Sequence, residues 1–201
     1  MMSVLRVAQM MSRLGPLAIA VSLVLSPVGA AIELPLPSDS VYHLALHLTD
    51  QNGVTQAFAA SRGTTQIVTM FYASCAYVCP MTIETLKGIE ANLTAQERAR
   101  LRIMLVSLDP ERDSAMALKR VAEQRKVDEA RWTLARTERE NARKLAAVLG
   151  IQYRQLKNKE FNHSTVLALL DVNGRVLART NRLGKPDAEF VAAVRKALSA
   201  L

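Results

Sequence analysis

Cysteines and aromatic residues are scarce in this 201-residue chain: two cysteines, and aromatics at 4%. Two cysteines cannot build the dense disulfide framework of a small secreted domain, nor a four-cysteine zinc site. No internal repeat is evident, which argues against a solenoid or a propeller. No charge-free apolar run reaches the roughly 20 residues of a spanning helix, so a multi-span membrane protein is excluded. Acids are also in short supply, with 18 Asp+Glu against 26 Lys+Arg and a net charge of +8. What is present is enough apolar material for a core. Hydrophobic residues make up 50% of the chain and charged ones 22%, too apolar a balance for disorder. The length fits one domain with a tail.

The tail is at the amino terminus. Arg6 and Arg13 are the only charges before Glu33, and an apolar stretch runs from Leu14 to Leu25. Pro27 and the small residues Gly29, Ala30 and Ala31 follow. A basic start, a short apolar core and a small-residue exit predict a secretory signal over residues 1–31, cleaved after Ala30 or Ala31. The rival reading is an uncleaved anchor, and the shortness of the core argues against it. No cysteine follows the apolar run, so a lipid anchor is not expected. The mature chain is therefore expected to be exported to the periplasm, with inner-membrane tethering as the alternative. Disulfides persist in that compartment. Loss of Arg6 and Arg13 would lower the charge from +8 to +6. The basic residues are scattered among acids with few aromatics, the pattern of a solvated surface. An anionic membrane surface or an acidic partner suits it better than nucleic acid.

Residues 32–40, with two prolines, read as a linker, and residues 41–201 as one α/β domain. Tyr42, Leu44, Leu46 and Leu48 alternate with His43, Ala45 and His47, which predicts a half-buried strand. Asn52-Gly53 then marks a hairpin. Ile67–Tyr72 and Leu101–Leu108 read as buried strands. Helices are expected after Pro80 (Ile83, Leu86, Ile89, Leu93), around Leu118, and at Ala142–Leu149 with Gly150 as C-cap. Thr165–Leu170 and Arg175–Ala178 flank the tight turn Asn173-Gly174, and Phe190, Val191, Val194 and Leu198 face one side of a final helix. The predicted order is hairpin, β, α, β, α, α, β, β, α. It fits a thioredoxin-like mixed β-sheet flanked by helices, with an amino-terminal β-hairpin.

Both cysteines lie in the segment Cys75-Ala-Tyr-Val-Cys79-Pro80, between a strand and a helix. Free N–H groups and the helix dipole favour thiolates there. A spacing of four on a first helical turn would put the Cα atoms about 6 Å apart, within reach of a disulfide or of one ion. A structural disulfide is the plainer reading. Its loop of three residues would restrict little chain entropy, so position favours reactive cysteines. Two thiolates suit Cu(I), with a third ligand to define the site. His163, predicted to open the late strand, is placed to face the cysteine turn. No proline lies between Pro110 and Pro186, so an imidazole occupies the region where thioredoxins carry a docking proline. His43 and His47, roughly 13 Å apart along a strand, cannot chelate one ion unaided and read as exposed.

Three segments together resemble the Sco/SenC copper-chaperone family. Cys75-Ala-Tyr-Val-Cys79-Pro80 resembles its Cys-x-x-x-Cys-Pro signature. Asp109-Pro110-Glu111-Arg112-Asp113 resembles its Asp-Pro-x-x-Asp segment, and Asn162-His163-Ser164 before Asp171-Val-Asn-Gly174 resembles its histidine segment. The motifs occur in family order, and the similarity spans roughly residues 40 to 200. The resemblance implies a thioredoxin-like fold and copper held by Cys75, Cys79 and His163, as Cu(I) and secondarily as Cu(II). Asp109 would be an auxiliary acid beside the site. The expected role is delivery of copper from a donor protein to a respiratory oxidase subunit, the binuclear centre of cytochrome c oxidase subunit II. Two departures stand out: Ala76 and Tyr77 replace the family's usual proline and polar residue, and Asn162 replaces the usual aspartate. They predict a more apolar rim.

An oxidoreductase is the main alternative, with Cys75 attacking a partner disulfide and Cys79 resolving it. No peroxidatic Thr-x-x-Cys is present. A zinc enzyme would want a further ligand.

Overall fold

The computed structural model describes residues 35–200. The expected signal segment, and the first residues of the expected linker, lie outside them. Among the described residues no helix is long and apolar enough to cross a membrane.

Continuously buried, largely apolar runs place the sheet centre. In β3 (Gln66–Phe71) all six residues are buried, as are five of six in β4 (Arg102–Ser107). Such strands need cover on both faces, which is the signature of parallel pairing under crossover helices. β3 pairs in parallel with β4 from Gln66 opposite Arg102 to Phe71 opposite Ser107. The other strands are β1 (His47–Asp50), β2 (Thr55–Ala57), β5 (Trp132–Arg136), β6 (Tyr153–Gln155), β7 (Phe161–His163), β8 (Leu167–Leu170) and β9 (Val176–Thr180). The main sheet has seven strands in the order β2-β1-β5-β4-β3-β8-β9. β3, β4 and β5 are parallel, and the flanking β1, β2, β8 and β9 are antiparallel. Among the described residues the α-helices are α1 (Val78–Ala91), α2 (Ala95–Arg100), α3 (Ala115–Gln124), α4 (Arg139–Leu149) and α5 (Ala188–Ser199). The thioredoxin-like mixed sheet is thus present.

The opening strand is shorter than its alternation predicts. Val41–His43 forms a single 3-10 turn, and the strand begins at His47. Local hydrogen bonds explain the difference. The Ser40 hydroxyl accepts from the Tyr42 N–H (3.1 Å) and donates to the Asn173 carbonyl (2.5 Å), while the Val41 N–H reaches the Gly174 carbonyl (2.9 Å). Tyr42 and Leu46 still point into the core. The hairpin turn forms as its Asn-Gly pair predicts, with Gly53 at φ +80° and the Asp50 carboxylate accepting from the Asn52 and Val54 N–H groups. Gly150, at φ +79°, ends α4.

β5 and α2 were not expected. β5 is a short interior strand whose residues show no clean period of two. Its Trp132 is buried, with its indole N–H on Glu90 (3.0 Å). α2 has no buried residue and hence no apolar stripe. Its Thr94–Glu97 capping box was the readable signal.

Candidate metal centre

β3 delivers the chain to the site. After Phe71 and the buried Tyr72, the backbone turns at 73–77 and enters α1 at Val78. The helix starts two residues before Pro80. Cys79 therefore lies in its first turn, while Cys75 stands in the loop before it. Pro80 sits where its missing N–H costs no helical hydrogen bond. No side chain of the N-cap residue Tyr77 caps this helix. Cys75 takes that duty in part: the Cys79 N–H donates to Cys75 Sγ at 3.3 Å.

Both thiols are free, and they are unlike each other. Cys79 is buried and Cys75 is half-buried. The Cys79 thiol donates to Cys75 Sγ, joined by backbone N–H groups of Cys79 and Tyr77. These donors outweigh burial and lower the Cys75 thiol to a pKa of about 5. Cys79 is pushed up, first by donating to Cys75, then by burial, with the charges of Cys75 and Asp113 adding to it. Cys75 is the anion at neutral pH, and Cys79 keeps its proton until something replaces it.

His163 does not open the late strand, as the sequence suggested. It closes β7, on a separate two-stranded ribbon with β6, where it lies opposite Tyr153. The ribbon precedes β8 and carries the imidazole to the cysteines. Cys75, Cys79 and His163 each offer a ligand atom, all within 4.8 Å of one another. Three ligands around a first-row ion with bonds of about 2.3 Å to sulfur stand roughly 4 Å apart, so the site needs less than about 1 Å of closure. The imidazole Nδ1 is 3.1 Å from the Ser164 carbonyl oxygen. Donation from Nδ1–H to that oxygen would leave the Nε2 lone pair for an ion. Two soft thiolates with one imidazole suit a soft ion such as Cu(I).

Asp109 is buried and pairs with the Arg112 guanidinium. It lines a cleft of about 440 Å³ with Glu111, Arg139, Tyr153 and Phe161, which holds neither cysteine. The acid that acts on the cysteines is Asp113. It is buried, accepts from the Ala73 N–H (3.0 Å) and the Ser107 hydroxyl (2.5 Å), and thereby ties the cysteine loop to the end of β4. Burial pushes its carboxyl up. His43 and His47 are both exposed, as expected, although His43 ends the 3-10 turn and not a strand.

Two further residues escaped sequence reasoning. Tyr72 donates its hydroxyl to Glu160 Oε2 at 2.8 Å and stands edge-on to the His163 ring, with centroids 5.9 Å apart. Tyr72 read simply as the end of a buried strand, and Glu160 as a loop charge, so nothing in their spacing joined them. A hollow of about 340 Å³ lies beside Cys75, lined by Tyr72, Tyr77, Val78 and Glu160. Its rim is mostly apolar, with Ala76, Val78 and Tyr77, the last 83% exposed.

Known proteins share this arrangement of elements. ScoI of Bradyrhizobium japonicum, solved with copper bound, superposes with a TM-score of 0.64 at 18% identity, covering 76% of this chain and 96% of its own. BsSco, described as a member of the Sco family of cytochrome c oxidase assembly proteins, gives 0.66 at 18%, covering 77% and 92%. At that identity the likeness speaks for the fold. A candidate copper-binding protein of Stutzerimonas stutzeri is 30% identical over 74 residues, 37% of this chain and 36% of that protein. The match thus spans about a third of that relative's length. The SCO1/SenC family model, in contrast, matches residues 38–199, almost the whole of the described domain and all three motif segments. The chain belongs to the SCO1/SenC family.

Proposed function

We propose that this protein is an exported metallochaperone that carries one copper ion on Cys75, Cys79 and His163 and hands it to a respiratory copper enzyme. The receiving site would be the binuclear centre of cytochrome c oxidase subunit II. The observation that carries the reading is the convergence of two thiols and one imidazole within 4.8 Å from three separate elements. Copper in solved ScoI and the assembly role given for the family of BsSco support it. So do the signal-like first 31 residues, and a lipoprotein of the same family in Bacillus anthracis supports export.

The chemistry follows from the ligands. Cys75 is already a thiolate, and Cys79 releases its proton to bind the ion. Cu(I) is the cargo. Three ligands leave one side open, beside the apolar rim, where a thiolate of the recipient could enter while Cys79 departs. The ion would pass by ligand exchange without entering bulk water. A Cys75–Cys79 disulfide offers no thiolates, so oxidation would block loading.

A second reading rests on the inequality of the two thiols. Cys75 thiolate could attack a recipient disulfide, releasing one recipient thiolate. Cys79, on losing its proton, would then attack Cys75 Sγ. That closes the Cys75–Cys79 disulfide and frees the second recipient thiolate, passing two electrons in all. The test is to mix copper-loaded protein with the reduced copper domain of an oxidase subunit II and follow formation of the binuclear centre. Copper transfer, lost in His163→Ala, supports delivery. Failure of transfer, with reduction of the oxidised domain by copper-free protein intact in His163→Ala, would favour the second reading.

A further inference from the structure

His163 sits on a weak element. The β6–β7 ribbon has three residue pairs, Tyr153–His163, Arg154–Asn162 and Gln155–Phe161, and belongs to no larger sheet. An isolated two-stranded ribbon of this size is marginal in water. It must therefore be fixed from outside if it is to hold an imidazole against two sulfurs.

One set of contacts lengthens it and two fix it from outside. At its base, the Ser164 N–H reaches the Gln152 carbonyl (2.9 Å) and the Gln152 N–H reaches the Ser164 hydroxyl (3.0 Å). At its tip, the Arg112 guanidinium donates to the Lys159 carbonyl (2.5 Å). Between them stands Tyr72. Its hydroxyl donates to Glu160 Oε2, and its ring meets Phe161 edge-on at 5.3 Å and His163 at 5.9 Å. Tyr72 itself is 4% exposed, one residue beyond the end of the buried β3, and so cannot drift. The Tyr72 carbonyl accepts from the Cys75 N–H (3.2 Å). Tyr72 thus touches the cysteine loop and the histidine strand at once, and Glu160 is its hydrogen-bonded partner on the ribbon.

We infer that the Tyr72–Glu160 hydrogen bond is a latch that seats the β6–β7 ribbon on the cysteine loop and so positions His163 for the ion. Both are positioning residues, acting through the histidine. The inference rests on reading Cys75, Cys79 and His163 as the copper site. Groups hydrogen-bonded to a metal ligand typically govern affinity by about 10- to 100-fold, and Glu160, acting one contact further out, should on Glu160→Ala weaken Cu(I) binding by about 10-fold, the low end of that range. Glu160→Gln keeps an acceptor oxygen for the tyrosine and should retain most of the affinity.

The experiment uses the full-length protein and has two readouts. The first is Cu(I) affinity by chelator competition for wild type, Glu160→Ala, Glu160→Gln, His163→Ala and the double variant Glu160→Ala/His163→Ala. The second is amide hydrogen exchange across residues 153–163 in the metal-free protein, with β3 as internal control. The latch predicts weaker binding in Glu160→Ala, restoration in Glu160→Gln, no further loss when Glu160→Ala is added to His163→Ala, and faster exchange confined to the ribbon. Equal losses with and without His163 would overturn it, because Glu160 would then not act through the histidine. Unchanged ribbon exchange in Glu160→Ala would also overturn it. If His163→Ala alone leaves copper affinity intact, the reading of the metal site fails, and the exchange data still decide whether the latch holds the ribbon.

Discussion

The inequality of the two cysteines can be tested without any metal. Cys75 is drawn down to a pKa of about 5 by the thiol and N–H of Cys79 and the Tyr77 N–H. At pH 7 it would be about 99% thiolate, against about 3% for an ordinary cysteine of pKa near 8.5. That advantage, about 30-fold, does not translate into speed. Thiolate nucleophilicity falls with basicity, with a Brønsted slope of about 0.4–0.5, so a drop of about 3.5 units costs roughly 40-fold per thiolate. The two effects nearly cancel at neutral pH. At pH 5.5 they do not. An ordinary thiol is then about 0.1% ionised and Cys75 about three-quarters, which leaves Cys75 roughly 15- to 30-fold faster even after the nucleophilicity loss. The assay is alkylation of the reduced, metal-free protein by iodoacetamide between pH 4 and 9, with Cys75 and Cys79 quantified separately by peptide mass. The expected Cys75 rate is flat above about pH 6 and falls below pH 5, with Cys79 unreactive throughout. A Cys75 rate that climbs tenfold per pH unit from 5.5 to 8 would refute the assigned hydrogen bonds. The same ionisation is linked to folding. The folded value lies below the unfolded one, so this thiolate stabilises the reduced fold above the ordinary thiol range, and the contribution is lost as pH falls through about 5.

Asp113→Ala removes the acceptor for the Ala73 N–H and the Ser107 hydroxyl, at about 1–3 kcal/mol for a buried donor left unpaired. Urea unfolding should show a loss of that order, with Asp113→Asn much milder, and an unchanged midpoint in Asp113→Ala would contradict the tie between the cysteine loop and β4. Gly174 has φ +77°, and a Cβ there would lie 2.5 Å from Cδ2 of the buried Tyr42, whose hydroxyl accepts from Gln66 at 2.7 Å. Gly174→Ala should cost roughly 1–3 kcal/mol from backbone strain and overpacking while leaving metal affinity alone, and a neutral thermal shift would show that Tyr42 can yield.

The sequence carried much of this architecture because burial on both faces writes itself plainly. Ile67–Phe71 is apolar or β-branched throughout and Ile103–Val106 is an unbroken apolar run, and both are central parallel strands. The helix stripe at Leu86 and Ile89 and the left-handed stop at Gly150 were equally legible. Where the outcome departed, contacts remote in sequence decided it. Tyr42 alternates like a strand residue, yet Ser40 and the turn at Asn173–Gly174, more than 130 residues away, wind it into a 3-10 turn. The ribbon that bears His163 is too short to show a period. The cysteines and the histidine could be picked out by residue type and motif. Asp109 and Asp113 fall in one motif, and only the fold shows that Asp109 turns to Arg112 while Asp113 turns to the cysteine loop. Tyr72 and Glu160 are 88 residues apart, a pairing no local pattern can reveal.

The central claim is that three side chains, not two, hold the ion. The most direct measurement is Cu(I) binding to the fully reduced protein by competition with a chromophoric chelator, run beside His163→Ala. One tight equivalent that is much weakened in the variant is the predicted result. Weak binding indifferent to His163 would contradict the account and leave Cys75 and Cys79 as a thiol–disulfide couple.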